Sequence, residues 1–154
     1  MPIVDYRPAF LILFREAFYG TPEGLDYTWF AQGREAIFPS LQVLSAEDAS
    51  RSPGEGISTI AAHAYHILFA LRATATNFGD PEPEGTWKSS WEKQSASPAE
   101  WERLQSDILA AYERIVRGIE GLENESDADT LNGILAILPH MAFHLGAIRQ
   151  LMKV

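Results

Sequence analysis

The chain of 154 residues contains no cysteine. This absence excludes disulfide bonds, thiolate metal sites and a cysteine nucleophile, so any thiol in the chemistry must arrive on a substrate or cofactor. Basic residues are also scarce, with 12 Lys and Arg against 21 Asp and Glu. Nucleic-acid binding needs a basic stripe that displaces phosphate counterions, and the sequence shows none, so no nucleic-acid partner is expected.

Long apolar runs are the next missing feature. No run approaches the roughly 20 residues that cross a bilayer, and the N-terminus MPIVDYRPAF lacks the basic start and cleavage site of a signal peptide. We therefore expect a cytoplasmic protein with no membrane partner. The length and the 46% hydrophobic content predict a single domain over residues 1–154 with a sizeable core.

Alternating strand patterns are absent too, and helical spacing recurs instead. RPAFLILFREAFYG has Pro8 near its start and Gly20 beyond its end, which is the usual asymmetry of a helix. GREAIFPSLQVLSAEDAS indicates a shorter helical stretch that is interrupted at Pro39. ISTIAAHAYHILFALRATATNF predicts a long helix that ends before GDPEPEG, because the prolines and glycines there do not continue a helix.

The next helix has the clearest start signal in the chain. In SPAEWERL, Ser97 can cap the helix, Pro98 suits its first position and Glu100 completes a capping box. Apolar residues then recur at spacings of three and four from Trp101 to Ile119. This periodicity predicts an amphipathic helix with Trp101 in the core.

The last helix is expected to begin at a cap provided by Ser126 or Asp127 and to run to about Met152. Four substantial helices without strands predict an all-α protein, a four-helix bundle. The two longer connections, residues 20–56 and 79–97, can cross an end of the bundle. A simple up-down-up-down order is therefore not required.

All four histidines fall on apolar faces of two helices. His140 and His144 are four residues apart and share a line with aliphatic residues of the last helix, so both rings should point inward. His63 and His66 are three apart, on an apolar side of the second long helix. Buried imidazoles need hydrogen-bond or metal partners for their ring nitrogens. Burying pairs of them costs free energy unless such partners are present.

A metal ion would organise these rings. A histidine pair at positions i and i+4 plus a third imidazole supplies three nitrogen ligands and leaves room for water and substrate. Neutral imidazoles favour Zn²⁺ or Ni²⁺ over Mg²⁺ or Ca²⁺. The alternative is simpler, since buried histidines are often satisfied by a carbonyl or a neighbouring side chain and the H-x-x-x-H spacing arises easily by accident.

Three segments resemble the DinB/YfiT-like metalloproteins, over residues 8 to 152. HMAFHLGAIRQL resembles the family's last-helix signature, with two histidines, an aromatic before the second, and then Leu-Gly, a small residue and Ile-Arg-Gln. STIAAHAYHILFAL resembles the second-helix segment, and aligning Thr59 and Ile60 with the family's pattern places the ligand at His66, one turn after His63. EGTWKSSWEKQSASPAEWERLQSDI resembles the tryptophan-marked entry to the third helix.

The resemblance implies a four-helix bundle with up-up-down-down connectivity, commonly a homodimer, and a divalent metal, often zinc or nickel. Carried over residue by residue, the metal ligands are His66, His140 and His144. His63 is then a partner of the ligands, an alternative ligand, or the candidate catalytic residue that carries a proton near bound water.

Family members include transferases or isomerases that use a low-molecular-weight thiol, and proposed hydrolases. The resemblance therefore implies a metal-dependent enzyme that activates a bound water or thiol against a small-molecule substrate. The alternative is a non-catalytic, metal-stabilised helical module that acts through dimerisation or a bound ligand. Trp87 and Trp91 could line the site entrance or a dimer contact, and Arg149 could hold a carboxylate, although packing and a solvated charge are the commoner roles.

Overall fold

The computed structural model describes residues 5–123 and 127–154 of the chain. All regular secondary structure in these ranges is helical, with no strand, which confirms the all-α prediction. Short 3₁₀ helices lie at Thr76–Phe78 and Ser89–Trp91. The α-helices are α1 (Arg7–Tyr19), α2 (Ile37–Gln42), α3 (Ala46–Ser50), α4 (Ile60–Ala75), α5 (Pro98–Glu120), α6 (Ala128–Leu135) and α7 (Ile137–Leu151).

The long helices enclose one apolar cluster. Helix α4 packs against α5 and α7, and α1 packs against the same two helices. An aromatic group fills the space between α1 and α5, where the rings of Phe14 and Phe18 lie 5.2 and 4.7 Å from that of Tyr112. Trp101 is buried as predicted, and its indole N–H donates to the carbonyl oxygen of Leu44 at 3.0 Å. This packing brings α4 and α7 side by side.

The contacts between α4 and α5 show that these two helices run in the same direction. Thr59, which caps the start of α4, bonds to Gln94 just before α5, and Arg72 near the end of α4 pairs with Asp107 in the middle of α5. Arg114, further along α5, bonds to Asp80 beyond α4. The long connection between the two helices therefore returns to the starting end of α4.

Helices α1 and α7 run opposite to that pair. Arg7 at the start of α1 donates to the carbonyl of Leu122 beyond the end of α5, so α1 is antiparallel to α5. His63 meets His144 and His66 meets His140, so α7 is antiparallel to α4. The resulting order is up, down, down, up, and the predicted up-up-down-down connectivity is wrong. The physical reason is loop length. The long segment between α4 and α5 lets the chain return to the start of α4, so α5 runs parallel to α4. The segment after α5 is short, so the next helix runs back antiparallel to α5.

Proline positions explain where the helices break. The predicted interruption at Pro39 does not occur, since Pro39 is the third residue of α2, where a backbone N–H has no partner inside the helix. The chain leaves the helix at Val43 instead and starts α3 after Ser45. Pro139 cannot bond to the carbonyl of Leu135, and accordingly α6 and α7 meet in a break at Ala136.

The helix-start signals are otherwise confirmed. Ser97 and Glu100 form the predicted capping box of α5, with the Ser97 side chain accepting from the backbone N–H of Glu100. Asp127 caps α6 by accepting from the N–H groups of Asp129 and Thr130. The alternative cap, Ser126, lies outside the described residues.

One helical span passes a test of length and composition for crossing a membrane. The span Ala128–Leu151 has 24 residues, and its most apolar window has a mean hydropathy of 1.5 and is 33% buried. By this measure the prediction that no apolar run approaches bilayer length is not met. A core helix of a soluble protein passes the same test, so this span is weak evidence for a membrane.

A buried carboxylate fixes the loop that follows α1. Glu16 is only 3% exposed, and its two oxygens accept the backbone N–H groups of Trp29, Phe30 and Ala31 at 2.9, 2.5 and 2.7 Å. Hydrogen bonds to an ionised acceptor are stronger than neutral ones, and a buried N–H that loses its acceptor is costly. Glu16 therefore holds the loop at residues 29–31 against α1.

Replacing Glu16 by Gln is expected to lower the free energy of unfolding by about 2–3 kcal/mol, because an amide N–H₂ would then face a backbone donor. Urea denaturation of the two proteins measures this. Glu102→Gln, at an exposed glutamate of α5, is the matched control and should change stability by less than about 0.5 kcal/mol. Equal stabilities for the two variants would show that the three bonds contribute nothing.

Candidate metal centre

Helices α4 and α7 bring the four histidine rings into one group. His63, His66 and His144 are buried, with 8%, 4% and 2% of their surface exposed, and His140 is half-buried. The ring centroid of His66 lies 5.2 Å from that of His140 and 4.9 Å from that of His144. Both histidine pairs therefore face the interior, as their apolar neighbours predict.

Three of the four rings form a group that can hold a metal ion. His66, His140 and His144 each offer one ring nitrogen, and these nitrogens lie within 4.8 Å of one another. Nε2 of His140 is 3.2 Å from Nε2 of His66 and 2.9 Å from Nε2 of His144. Two Zn–N bonds of about 2.0–2.1 Å place their nitrogens roughly 2.9 Å apart at a right angle and roughly 3.3 Å apart at the tetrahedral angle. The observed separations fit these values.

The surroundings keep the rings in the neutral form that binds metals. Burial, with a smaller contribution from the neighbouring histidines, lowers the pKa of His144 to about 3 and the pKa of His66 to about 4. Burial also lowers the pKa of His63 and of His140. Imidazoles with such pKa values are uncharged at neutral pH, so each ring has one nitrogen with a lone pair. Within the described ranges the ligand group contains no carboxylate, which favours Zn²⁺ or Ni²⁺ over Mg²⁺ or Ca²⁺.

The remaining ring nitrogens are paired with other groups. Nδ1 of His66 lies 2.7 Å from Oγ of Ser90, whose hydroxyl donates to the carbonyl oxygen of Trp87 at 2.8 Å. Nδ1 of His144 lies 2.9 Å from Nδ1 of His63. Such contacts set the tautomer and the orientation of metal-binding histidines.

These contacts separate the roles of His63 and His66. The group of three contains His66, the position that the resemblance implies, whereas His63 is paired with Nδ1, the far nitrogen of His144. The sequence left this choice open, because both residues lie on the same apolar side of α4. Nothing in the geometry tests the catalytic role predicted for His63, which stays a prediction.

Two tryptophans before α5 cover the histidines. The ring of Trp91 stacks on His66 at 4.1 Å and lies 5.5 Å from His144. Trp87 is 53% exposed and lies 5.8 Å from His66 and 5.9 Å from His140. Of the roles that the sequence left open for these tryptophans, the contacts fit a position at the entrance of the site, and a dimer contact is not tested. They place Trp91 over its inner part and Trp87 at its rim.

Sequence reasoning missed one residue of the site and left another uncertain. Ser90 contacts a ligand ring, yet a single serine in a loop carries no periodic signal, and only its position between two tryptophans distinguishes it. Arg149 pairs with the carboxylate of Glu35 at 3.0 Å and makes no contact with the histidines among the described residues, so its predicted role in holding a carboxylate at the site is not tested. Its ion pair joins α7 to the loop before α2.

Comparison of the chain with protein-family models, with curated proteins and with solved structures gave no match. The resemblance to the DinB/YfiT-like metalloproteins therefore rests on the motifs alone and stays a prediction.

Proposed function

We propose that this protein binds one divalent metal ion, Zn²⁺ or Ni²⁺, through His66, His140 and His144, and that it is a metal-dependent enzyme. The observation that carries the proposal is a group of three neutral imidazoles from two helices, with ligand nitrogens within 4.8 Å and no fourth protein ligand in the described part of the chain. Structural zinc sites are closed by four protein ligands, whereas catalytic sites use three and keep a position for solvent.

The reaction we propose is of the hydrolase or thiol-transferase type on a small molecule. A divalent metal at such a site lowers the pKa of a bound water to about 7, or ionises a bound thiol. Because the chain has no cysteine, that thiol would be a low-molecular-weight cofactor or substrate.

The chain's own residues hold the ligands and restrict access to them. His66 and His144 lie beneath Trp91, which excludes water from that side, whereas His140 is half-buried and lies beside the exposed ring of Trp87. A substrate is therefore expected to approach from the side of His140.

We also propose that α1, α4, α5 and the joined α6 and α7 form a four-helix bundle with the order up, down, down, up. Two observations support this proposal: α1 and α4 each pack against both α5 and α7, and neighbouring helices run in the directions described above. The homodimer and the cytoplasmic location remain predictions, and so does the absence of membrane and nucleic-acid partners.

The experiment that tests the enzyme proposal measures an open coordination position. The untagged protein is loaded with one equivalent of Co²⁺, and its visible absorption spectrum is recorded with and without azide or a small thiol. Three protein ligands leave a position that these molecules can occupy, so we expect a shift in the absorption bands. A bound metal whose spectrum does not respond would favour the non-catalytic, metal-stabilised module, and failure to bind any metal would overturn both functions.

A further inference from the structure

The hydroxyl group of Ser90 determines where the proton of His66 lies. A serine hydroxyl has one proton, and the carbonyl oxygen of Trp87, 2.8 Å away, can only accept it. Ser90 must then accept a hydrogen bond from Nδ1 of His66 at 2.7 Å. The neutral ring of His66 is therefore protonated on Nδ1, and its Nε2 carries a free lone pair.

The same reasoning extends to the other three rings. Because Nε2 of His66 has no proton, the contact at 3.2 Å requires a proton on Nε2 of His140. That proton also faces Nε2 of His144 at 2.9 Å, which must accept. His144 is then protonated on Nδ1 and donates to Nδ1 of His63 at 2.9 Å, so His63 is protonated on Nε2.

We propose that Ser90 and His63 are positioning residues that hold His66 and His144 in the tautomer required of a metal ligand, before the ion arrives. This inference rests on the proposed ligand set. In the metal-free protein the Nε2 lone pairs of His66 and His144 then both point to Nε2 of His140. Only His140 must move its proton, from Nε2 to Nδ1, when the metal binds.

The location of His140 suits this single rearrangement. His66 and His144 are buried and have their Nδ1 atoms paired, whereas His140 is half-buried and its Nδ1 has no protein partner in residues 5–123 and 127–154. Water can therefore take the proton from one nitrogen of His140 and return it to the other. Hydrogen-bonding partners of metal ligands typically contribute about 10–100-fold to metal affinity.

The proton positions can be read directly by NMR. With ¹⁵N-labelled histidine in the metal-free protein at pH 7.5, long-range ¹H–¹⁵N correlations are expected to show Nδ1–H for His66 and His144 and Nε2–H for His63 and His140. One equivalent of Zn²⁺ should change only His140, to Nδ1–H. An Nε2–H tautomer at His66 or His144 in the metal-free protein would overturn the inference while leaving the proposed function intact. The expected pattern with no response to Zn²⁺ would overturn the proposed function, and the positioning role with it.

Metal affinity of variants gives a second readout. We expect Ser90→Ala and His63→Leu each to bind Zn²⁺ about tenfold more weakly than wild type in competition with a chromophoric chelator. Ser90→Thr keeps the hydroxyl, and His63→Asn places an acceptor oxygen where Nδ1 of His63 lies, so both should restore affinity to within about threefold. A general packing defect would not be rescued in this way.

Ser95→Ala is the matched control, because Ser95 is an exposed serine of the same loop that makes no hydrogen bond with the described residues. It should bind Zn²⁺ as wild type does. Wild-type affinity in Ser90→Ala and His63→Leu would overturn the positioning role, and so would equal losses in His63→Leu and His63→Asn. If a variant fails to fold, the tautomers of the wild-type protein decide the question.

Discussion

Replacing His140 by alanine is expected to weaken Zn²⁺ binding by more than about a hundredfold. A structural zinc ion is held by about 10–16 kcal/mol shared among its ligands, so the loss of one ligand from three removes about 3 kcal/mol or more. His66→Ala and His144→Ala should lose at least as much. His140→Ala is the cleanest of the three, because His140 is half-buried and its removal leaves no closed cavity in the core.

Metal content of untagged protein after dialysis, together with chelator competition, measures these losses. The ranking of the variants by Zn²⁺ affinity distinguishes ligands from residues that contact a ligand. His63→Leu should lose only about tenfold in affinity, because His63 contacts the ligand His144 and not the metal position. A His63 variant that loses as much metal as His66→Ala would make His63 a ligand. Wild-type protein without Zn or Ni, and without thermal stabilisation by either ion, would contradict metal binding altogether.

Acid is expected to destabilise the metal-free protein well above the pH at which its carboxylates titrate. The pKa of His144 falls from 6.5 to about 3 on folding, chiefly through burial. Between these two values the unfolded chain binds a proton that the native ring does not, so stability decreases as the pH falls below 6.5. His144 alone should cost about 2 kcal/mol of unfolding free energy between pH 7.5 and pH 5. The lowered pKa of His66 acts in the same direction.

Urea denaturation of EDTA-treated protein at pH 7.5 and pH 5 tests this expectation. His144→Leu is the comparison variant, because leucine fills much of the same volume and does not titrate. Its stability should change with pH by about 2 kcal/mol less than that of wild type. An identical pH dependence in the two proteins would show that the buried ring does not remain neutral.

Most of the helices and their inward faces could be predicted from sequence. Capping signals act within three or four residues, so Ser97 and Glu100 determine the start of α5 without help from the rest of the chain. Apolar periodicity likewise depends on neighbours one turn away, and it correctly predicted that His140 and His144 face the interior. The helix breaks were not predicted correctly, because Pro39 and Pro139 are each the third residue of a helix, where proline is tolerated, and the breaks fall elsewhere, from Val43 to Ser45 and at Ala136.

The sequence by itself therefore determined the helices, the buried histidine faces and the candidate metal chemistry. Only the tertiary structure decided the helix directions, the contact of Ser90 with His66 and the separation of His66 from His63. These features depend on contacts between residues 24 to 115 positions apart. The rotation and the axial shift of α4 relative to α7 determine which histidine ring nitrogens come into contact. The packing of the whole core determines both the rotation and the shift.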